Sequence, residues 1–208
     1  MSQAAQNLKL AVAAMRWTNS RIKMQSNQLS DVLSSLGTSL ACVEDMRKER
    51  ADAERSWSRA FLSHYKEGTT EAEVRRRSPK DFWNRRYMIM KYQMEKAIQH
   101  GCGNCGELSS TAFFYLIDKP ARPIEKMHIK GGDHAFVVIG RKSGSREHDP
   151  GSWGRDAAIC DPWYEVACLA AAYKSELPGL AKTFANPNQH IASWYRLEGK
   201  GPLPAGAR

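Results

Sequence analysis

Proline is absent before Pro79, and from Ser2 to Glu67 the chain holds a single glycine, Gly37. With both strong breakers missing, a turn-rich β domain is excluded there, and the abundance of Ala, Leu, Gln, Lys, Arg and Glu predicts helices. No apolar run approaches the roughly 18 residues that suggest a transmembrane helix, so no membrane span is expected. Met1 to Met15 also lacks the basic start, long apolar core and small-residue cleavage site of a secretory signal. The expectation is a soluble chain made in the cytoplasm without a signal peptide. Cysteine is scarce and odd in number, five in 208 residues. That count argues against a disulfide framework and for a reducing compartment at the site of action.

The length and the 42% hydrophobic content suit one compact domain with a helical extension. Basic residues are in excess, for a net charge of +9. Residues 1–100 carry 18 Lys and Arg against 11 Asp and Glu, whereas residues 101–208 carry 13 against 11. The surplus lies ahead of the chemistry-bearing segment and points to an acidic partner surface for the N-terminal half. Arg75-Arg76-Arg77, with Lys80, Arg85 and Arg86, is the densest basic cluster. It belongs to no recognisable nucleic-acid module, so nucleic acid is not an expected partner.

Two helices are predicted between Ser2 and Glu67, broken near Asn27, with Gly37 as a second candidate break. Leu33, Leu36, Leu40, Val43 and Met46 make an apolar stripe that must lie on another element. Gly68-Thr69-Thr70 reads as a linker, and Thr70 with Glu73 has the spacing of a capping box. Ser78-Pro79 starts the next helix, Trp83, Tyr87, Met90, Met94 and Ala97 form its buried stripe, and Gly101 ends it. Cys105 to Asp118 reads as a further helix. Pro120 to Pro123 is an extended connection, and 130–133 a turn. His134 to Arg141 is a strand buried on both faces, and Lys142 to Arg155 an exposed hairpin loop. Asp156 to Asp161 is a second strand, stopped by Pro162. Glu165 to Lys174 is expected to be helical. The chain beyond Pro178 is expected to be loop-rich, with one apolar patch at Ile191, Trp194 and Tyr195 and a frayed end.

The segment Gln99-His-Gly-Cys102-Gly-Asn-Cys105-Gly-Glu107-Leu-Ser109 places a thiol just after a glycine-rich turn and just before a helical run. At a helix N-terminus the backbone N–H groups and the dipole favour thiolate over thiol. Thiolate chemistry at a carbonyl also needs a histidine, a group that orients it, and donors for the oxyanion. His134, at the start of a buried strand, and Asp161, at the end of the next, are the candidates. Trp163 is placed either to shield that pair or simply in the core. Asp149 is the runner-up for Asp161, and His100 could stand in for His134 only by folding back.

Gln99-x-x-Cys102-Gly-Asn-Cys105-x-x-x-Ser109 resembles the active-site segment of papain-like cysteine proteases, where a glutamine six residues before the nucleophile lines the oxyanion hole. The order Cys, His, Asp resembles that family too. The resemblance implies Cys105 as nucleophile, His134 as general base and acid, Asp161 as orienter, and Gln99 with the Cys105 N–H as oxyanion donors. It covers residues 99–163. The Cys-to-His and His-to-Asp spacings, 29 and 27 residues, are far shorter than the papain pattern, the third member is Asp rather than Asn, and Gly106 replaces an aromatic. These departures resemble the compact papain-like and transglutaminase-like domains of bacterial effectors and toxins.

The expected architecture is α+β: a helical region over residues 1–77, then a papain-like catalytic domain over 78–208 whose nucleophile helix packs on a small antiparallel sheet. The expected function is cleavage of a protein substrate by a secreted bacterial effector or toxin, carried into a target cell by a specialised secretion system. An immunity protein or chaperone is a further partner class. No metal or organic cofactor is required. Two alternatives stand beside it. One is a glutamine deamidase or transglutaminase using the same triad. The other is a non-enzymatic interaction protein stapled by zinc on Cys102, Cys105, His134 and Cys160. A zinc deaminase would use Cys105 and Glu107 but needs a downstream Cys-x-x-Cys, and Cys160 and Cys168 are too far apart. Cys42, Cys160 and Cys168 read as buried structural thiols.

Overall fold

The computed structural model describes residues 1–25, 29–62, 69–184 and 188–199. Its architecture is α+β. Helices α1 (Gln3–Arg21), α2 (Leu29–Ser34), α3 (Thr38–Leu62), α4 (Glu71–Arg77), α5 (Pro79–His100) and α6 (Cys105–Ile117) precede the sheet. The strands are β1 (Ile124–Lys130), β2 (Ala135–Ile139), β3 (Ala158–Asp161), β4 (Val166–Leu169) and β5 (His190–Leu197), with the short helices α7 (Tyr173–Glu176) and α8 (Pro178–Phe184) between the last two. All strand pairs are antiparallel, in the order β4-β3-β2-β1-β5. No helix among the described residues is long and apolar enough to cross a membrane.

The sheet is covered on both sides, which is why β2 is buried along its whole length. On one face Ile124, Val137, Ile139 and Tyr195 pack under Met90 of α5, Phe113 and Leu116 of α6, and Ala11 and Ala14 of α1. On the other, Met127, Phe136, Val138 and Ile159 meet Trp153, Leu177 and Leu180. Each fully buried side chain of this size contributes about 1.5–3 kcal/mol. Within the second face, buried Glu125 is held by Arg141 at 2.7 Å and Arg196 at 2.9 Å, which fastens β1 between its two neighbours.

Several elements follow the sequence closely. Glu73 caps α4 through Thr70, and Ser78-Pro79 opens α5. Gly101 closes α5 in the left-handed conformation at φ 70°, as a C-terminal glycine should. Others do not. The two helices expected first become three among the described residues up to Leu62, because the second candidate break is used: the chain turns at Leu36 and Gly37 with positive φ at both. The expected helix over 165–174 is helical only in its second half: Glu165 adopts φ 56° after Pro162, Val166–Leu169 folds back as β4 on β3, and a 3-10 turn at Ala170–Ala172 then leads into α7. Pairing to a neighbouring strand overrides the helical preference of an alanine-rich run. β1 and β5 were not legible as strands. The break near Asn27, Gly68 and residues 200–208 lie outside the described residues.

Part of the basic cluster packs on aromatic rings of the fold, while Arg76, Arg77 and Lys80 stay exposed. Arg86 lies 4.5 Å from the Phe82 ring and 4.0 Å from the Trp194 ring, and donates to the Trp194 carbonyl at 2.7 Å. Arg75 lies over Trp83 at 5.2 Å.

The cysteine expectation needs correction. Cys42 of α3 and Cys102, in the turn before α6, form a disulfide across 60 residues of sequence, while Cys105, Cys160 and Cys168 are free. An odd count forbids complete pairing but not one pair. A cross-link of this span removes about 4 kcal/mol of unfolded-state entropy, and such bonds persist in oxidising rather than reducing compartments. Reduction, or Cys42→Ser, is therefore expected to lower unfolding free energy by about 2–4 kcal/mol in urea titrations. An unchanged midpoint with and without reductant would contradict the bond.

Candidate active site

Cys105 is the first residue of α6, with extended Asn104 as the cap before it. The N–H groups of the first turn have no backbone acceptors within the helix, and that of Glu107 is taken by the Asn104 side chain, so the helix start favours negative charge at Cys105. Glu107 reaches back to accept the Asn104 N–H at 2.9 Å. Glu107 is buried, and Arg50 of α3 supplies its counter-charge while also pairing with Glu54 at 3.3 Å. The preceding turn is fixed as well: Gly103 N–H donates to the Met24 carbonyl at 3.0 Å, and Lys23 N–H to that of Gly101 at 3.0 Å. A Cβ on Gly103 would stand 2.8 Å from the Glu107 Cβ, so a side chain there displaces the turn. The N-terminal region thus holds the mount of Cys105.

His134 and Asp161 meet because β2 and β3 are antiparallel, with Val137 opposite Cys160. The start of β2 and the end of β3 fall at one edge of the sheet. His134 Nε2 lies 2.6 Å from Asp161 Oδ2, and Asp161 Oδ1 accepts the Tyr164 N–H at 3.2 Å. Burial opposes charge on His134, but Asp161, by charge and by hydrogen bond, and then Cys105 outweigh it and raise the imidazole from 6.5 to about 10. With Nε2 engaged by Asp161, Nδ1 is the nitrogen left for the Cys105 thiol. Cys105 Sγ also lies 3.7 Å from the Asp133 carbonyl oxygen. Rings of Trp163, Tyr164 and Phe136 stand 5.4, 5.2 and 6.0 Å from the imidazole and screen it from water. Trp163 fills both expected places, beside the imidazole and packed on the buried cluster that includes Ile22, Val43 and Leu108. Asn19 of α1 donates to the Pro162 carbonyl at 3.1 Å and steadies that turn.

Above Cys105 is a cavity of about 250 Å³ whose lining includes His134, Gln93, Lys126, His128, Arg47 and Arg50. Gln99 is not brought to it. Its side chain is exposed and accepts from Lys96 at 3.1 Å. Helix geometry gives the reason: at 100° per residue, position 99 is about 200° round α5 from buried Ala97, whereas position 93 is only about 40° away from it. Gln93 is the glutamine on the site's side. Its Oε1 accepts from Ser110 Oγ at 2.8 Å and Lys126 Nζ at 3.1 Å, which leaves its amide nitrogen as the free donor on the cavity lining. Lys126 itself, buried on β1 beneath α6, donates further to the Gly106 carbonyl at 2.9 Å and to Ser110 at 2.6 Å. Sequence reading passed over both residues, although Gln93 lies three after Met90 and four before Ala97, on the stripe already drawn.

The remaining titratable groups take other roles. Asp149 pairs with Arg146 at 2.6 Å on an exposed loop. His128 lines the cavity, but burial and then Arg86 lower its imidazole to about 4, so it stays neutral. Burial pushes the Cys160 and Cys168 thiols up, which suits structural roles. Cys102 spends its sulfur in the disulfide, and among the described residues no group of three or more His, Cys, Asp or Glu side chains converges as metal ligands.

Burial also lowers the Lys126 ammonium, from 10.5 to about 7, against the pull of the nearby Cys105 charge. Folding thus takes up a proton at His134 between about pH 6.5 and 10, which makes stability fall as pH rises. It releases one at Lys126 between about pH 7 and 10.5, which makes stability rise. The two offset each other just above neutrality. In Lys126→Met the histidine's contribution stands alone, and unfolding free energy is expected to drop by about 1 kcal/mol per pH unit from pH 7 to 8 in urea titrations. A flat profile in that variant would contradict the assignment.

In comparisons with known proteins, no family model, curated protein or solved structure matches the chain. The geometry around Cys105 therefore carries the functional conclusion by itself.

Proposed function

We propose that the protein is a cysteine protease acting on a protein substrate through Cys105, His134 and Asp161, in the manner of the compact papain-like effectors and toxins. The observation that carries this reading is His134, bonded to a fully buried carboxylate at 2.6 Å and lining the same cavity as Cys105, whose proximity helps raise the imidazole. A histidine held charged by a carboxylate and set against a thiol at a helix start is the equipment of acyl transfer.

In that reaction the Cys105 thiolate adds to the substrate carbonyl carbon, and the carbonyl oxygen takes the negative charge. The Gln93 amide and the Cys105 N–H supply hydrogen bonds to it. His134 gives its proton to the departing amine as the C–N bond breaks, leaving an acyl thioester. Neutral His134 then takes a proton from water, whose oxygen attacks the thioester, and the acid product leaves as the thiolate is restored. Asp161 keeps the ring oriented throughout and stabilises its charged form. The reading includes delivery from the producing bacterium into a target cell, and the Cys42–Cys102 bond suits a protein that meets an oxidising environment on the way. An acidic partner surface for the basic N-terminal half belongs to the same reading.

Proteomes of cells expressing the wild type and Cys105→Ala should differ by cleavage fragments of one or a few proteins, and His134→Ala should match Cys105→Ala. Identical proteomes would contradict proteolysis, and amide-to-acid conversion without cleavage would replace it with deamidation. With a substrate in hand, Gln93→Ala is expected to lower kcat by roughly 10²–10³, whereas Gln99→Ala leaves it near normal. The reverse order would return the oxyanion role to Gln99.

A further inference from the structure

The cavity over Cys105 has one wall that the triad does not use. Arg47 and Arg50 of α3 both line it, three residues apart and so on the same side of the helix. Arg50 is committed to Glu54 and Glu107. Neighbouring cations are matched in the same way: Lys48 with Glu44 at 3.2 Å, Arg55 with Asp52 at 2.5 Å, and Lys96 with Glu49 at 2.6 Å. Arg47 is the exception. It is exposed and, among the described residues, has no carboxylate within ion-pair distance. The acids on the cavity lining are Glu107 and Asp133. Glu107 is spent on Arg50 and the Asn104 N–H, and Asp133 is exposed beside His134, in the turn between β1 and β2.

A guanidinium left unmatched on the wall of a nucleophile's cavity is suited to a carboxylate that arrives with the substrate, since its planar fork takes both oxygens at once. We propose that the site selects peptide segments carrying an acidic side chain next to the reacting carbonyl, and that Arg47 receives that carboxylate. The proposal rests on the reading of Cys105 as nucleophile. Arg50, anchored to the first turn of α6, fixes α3 so that Arg47 stands one helical turn away from that anchor. It is a specificity residue and takes no part in bond making.

Two small alkylating agents test this without a known substrate. Iodoacetate and iodoacetamide react with the same thiol and release the same iodide, and only the first brings a carboxylate. Alkylation of Cys105 is followed by peptide mass spectrometry in non-reducing buffer, for the wild type, Arg47→Gln and Arg47→Lys. The expected result is that Arg47→Gln slows iodoacetate roughly 3- to 10-fold, the scale of a partly exposed charged hydrogen bond, and leaves iodoacetamide unchanged. Arg47→Lys should recover part of the loss. An unchanged iodoacetate rate, or an equal fall with both reagents, would overturn the proposal while leaving the nucleophile in place. Failure of both reagents to modify Cys105 in the wild type would overturn the nucleophile reading itself.

Discussion

Asp161 has no contact with solvent, and a carboxylate in that position is tolerated only with a counter-charge and donors around it. His134 and the Tyr164 N–H provide them. Removing one partner of such a pair costs about 3–5 kcal/mol, because the other charge is left buried alone. The rest of the site follows from this requirement. The antiparallel pairing of β2 with β3 sets the two residues at one sheet edge, and the aromatic rings of Trp163, Tyr164 and Phe136 keep water from competing for the imidazole. His134 and Cys105 line the same cavity, and the two are coupled electrostatically there.

The second requirement is that α6 present its N-terminus at that same edge, and residues from well outside the triad enforce it. From below, Lys126 holds the Gly106 carbonyl. From the side, Arg50 neutralises Glu107, whose carboxylate closes the first turn. From behind, the Cys42–Cys102 bond and the Met24 carbonyl pin the turn that precedes Cys105. α1 and α3 are therefore part of the construction of the body that carries the site, with Ala11 and Ala14 in the main core and Arg47 on the cavity wall.

Local signals made much of this legible in the sequence. The start and end of α5, the capping of α4, the span of α6 and the buried strand β2 all follow from residues that act on their immediate neighbours. The proximity of His134 to Asp161 followed from one inference about two adjacent strands. What stayed hidden depends on partners distant in sequence. β1 carries Glu125, Lys126 and His128, polar residues that disguise a buried strand until Arg141, Arg196 and Gln93 arrive to satisfy them. β4 was hidden by helix-forming residues that pair with β3 only because Glu165 reverses the chain. Cys42 and Cys102 are 60 residues apart, and nothing local marks them as a pair. Gln99 matched a spacing counted along the chain, whereas the site reads position around the helix, and that favours Gln93.

The account depends most directly on an imidazolium that persists far above the ordinary histidine range because Asp161 holds it. Histidine-resolved NMR of the ring resonances, recorded from acid to alkaline pH on the wild type and on Asp161→Asn, measures that property at its source. The account predicts that His134 stays protonated through neutrality and titrates near pH 10 in the wild type, and that the Asp161→Asn protein titrates at markedly lower pH. A wild-type His134 that loses its proton near 6.5, or a midpoint indifferent to Asp161, would contradict it.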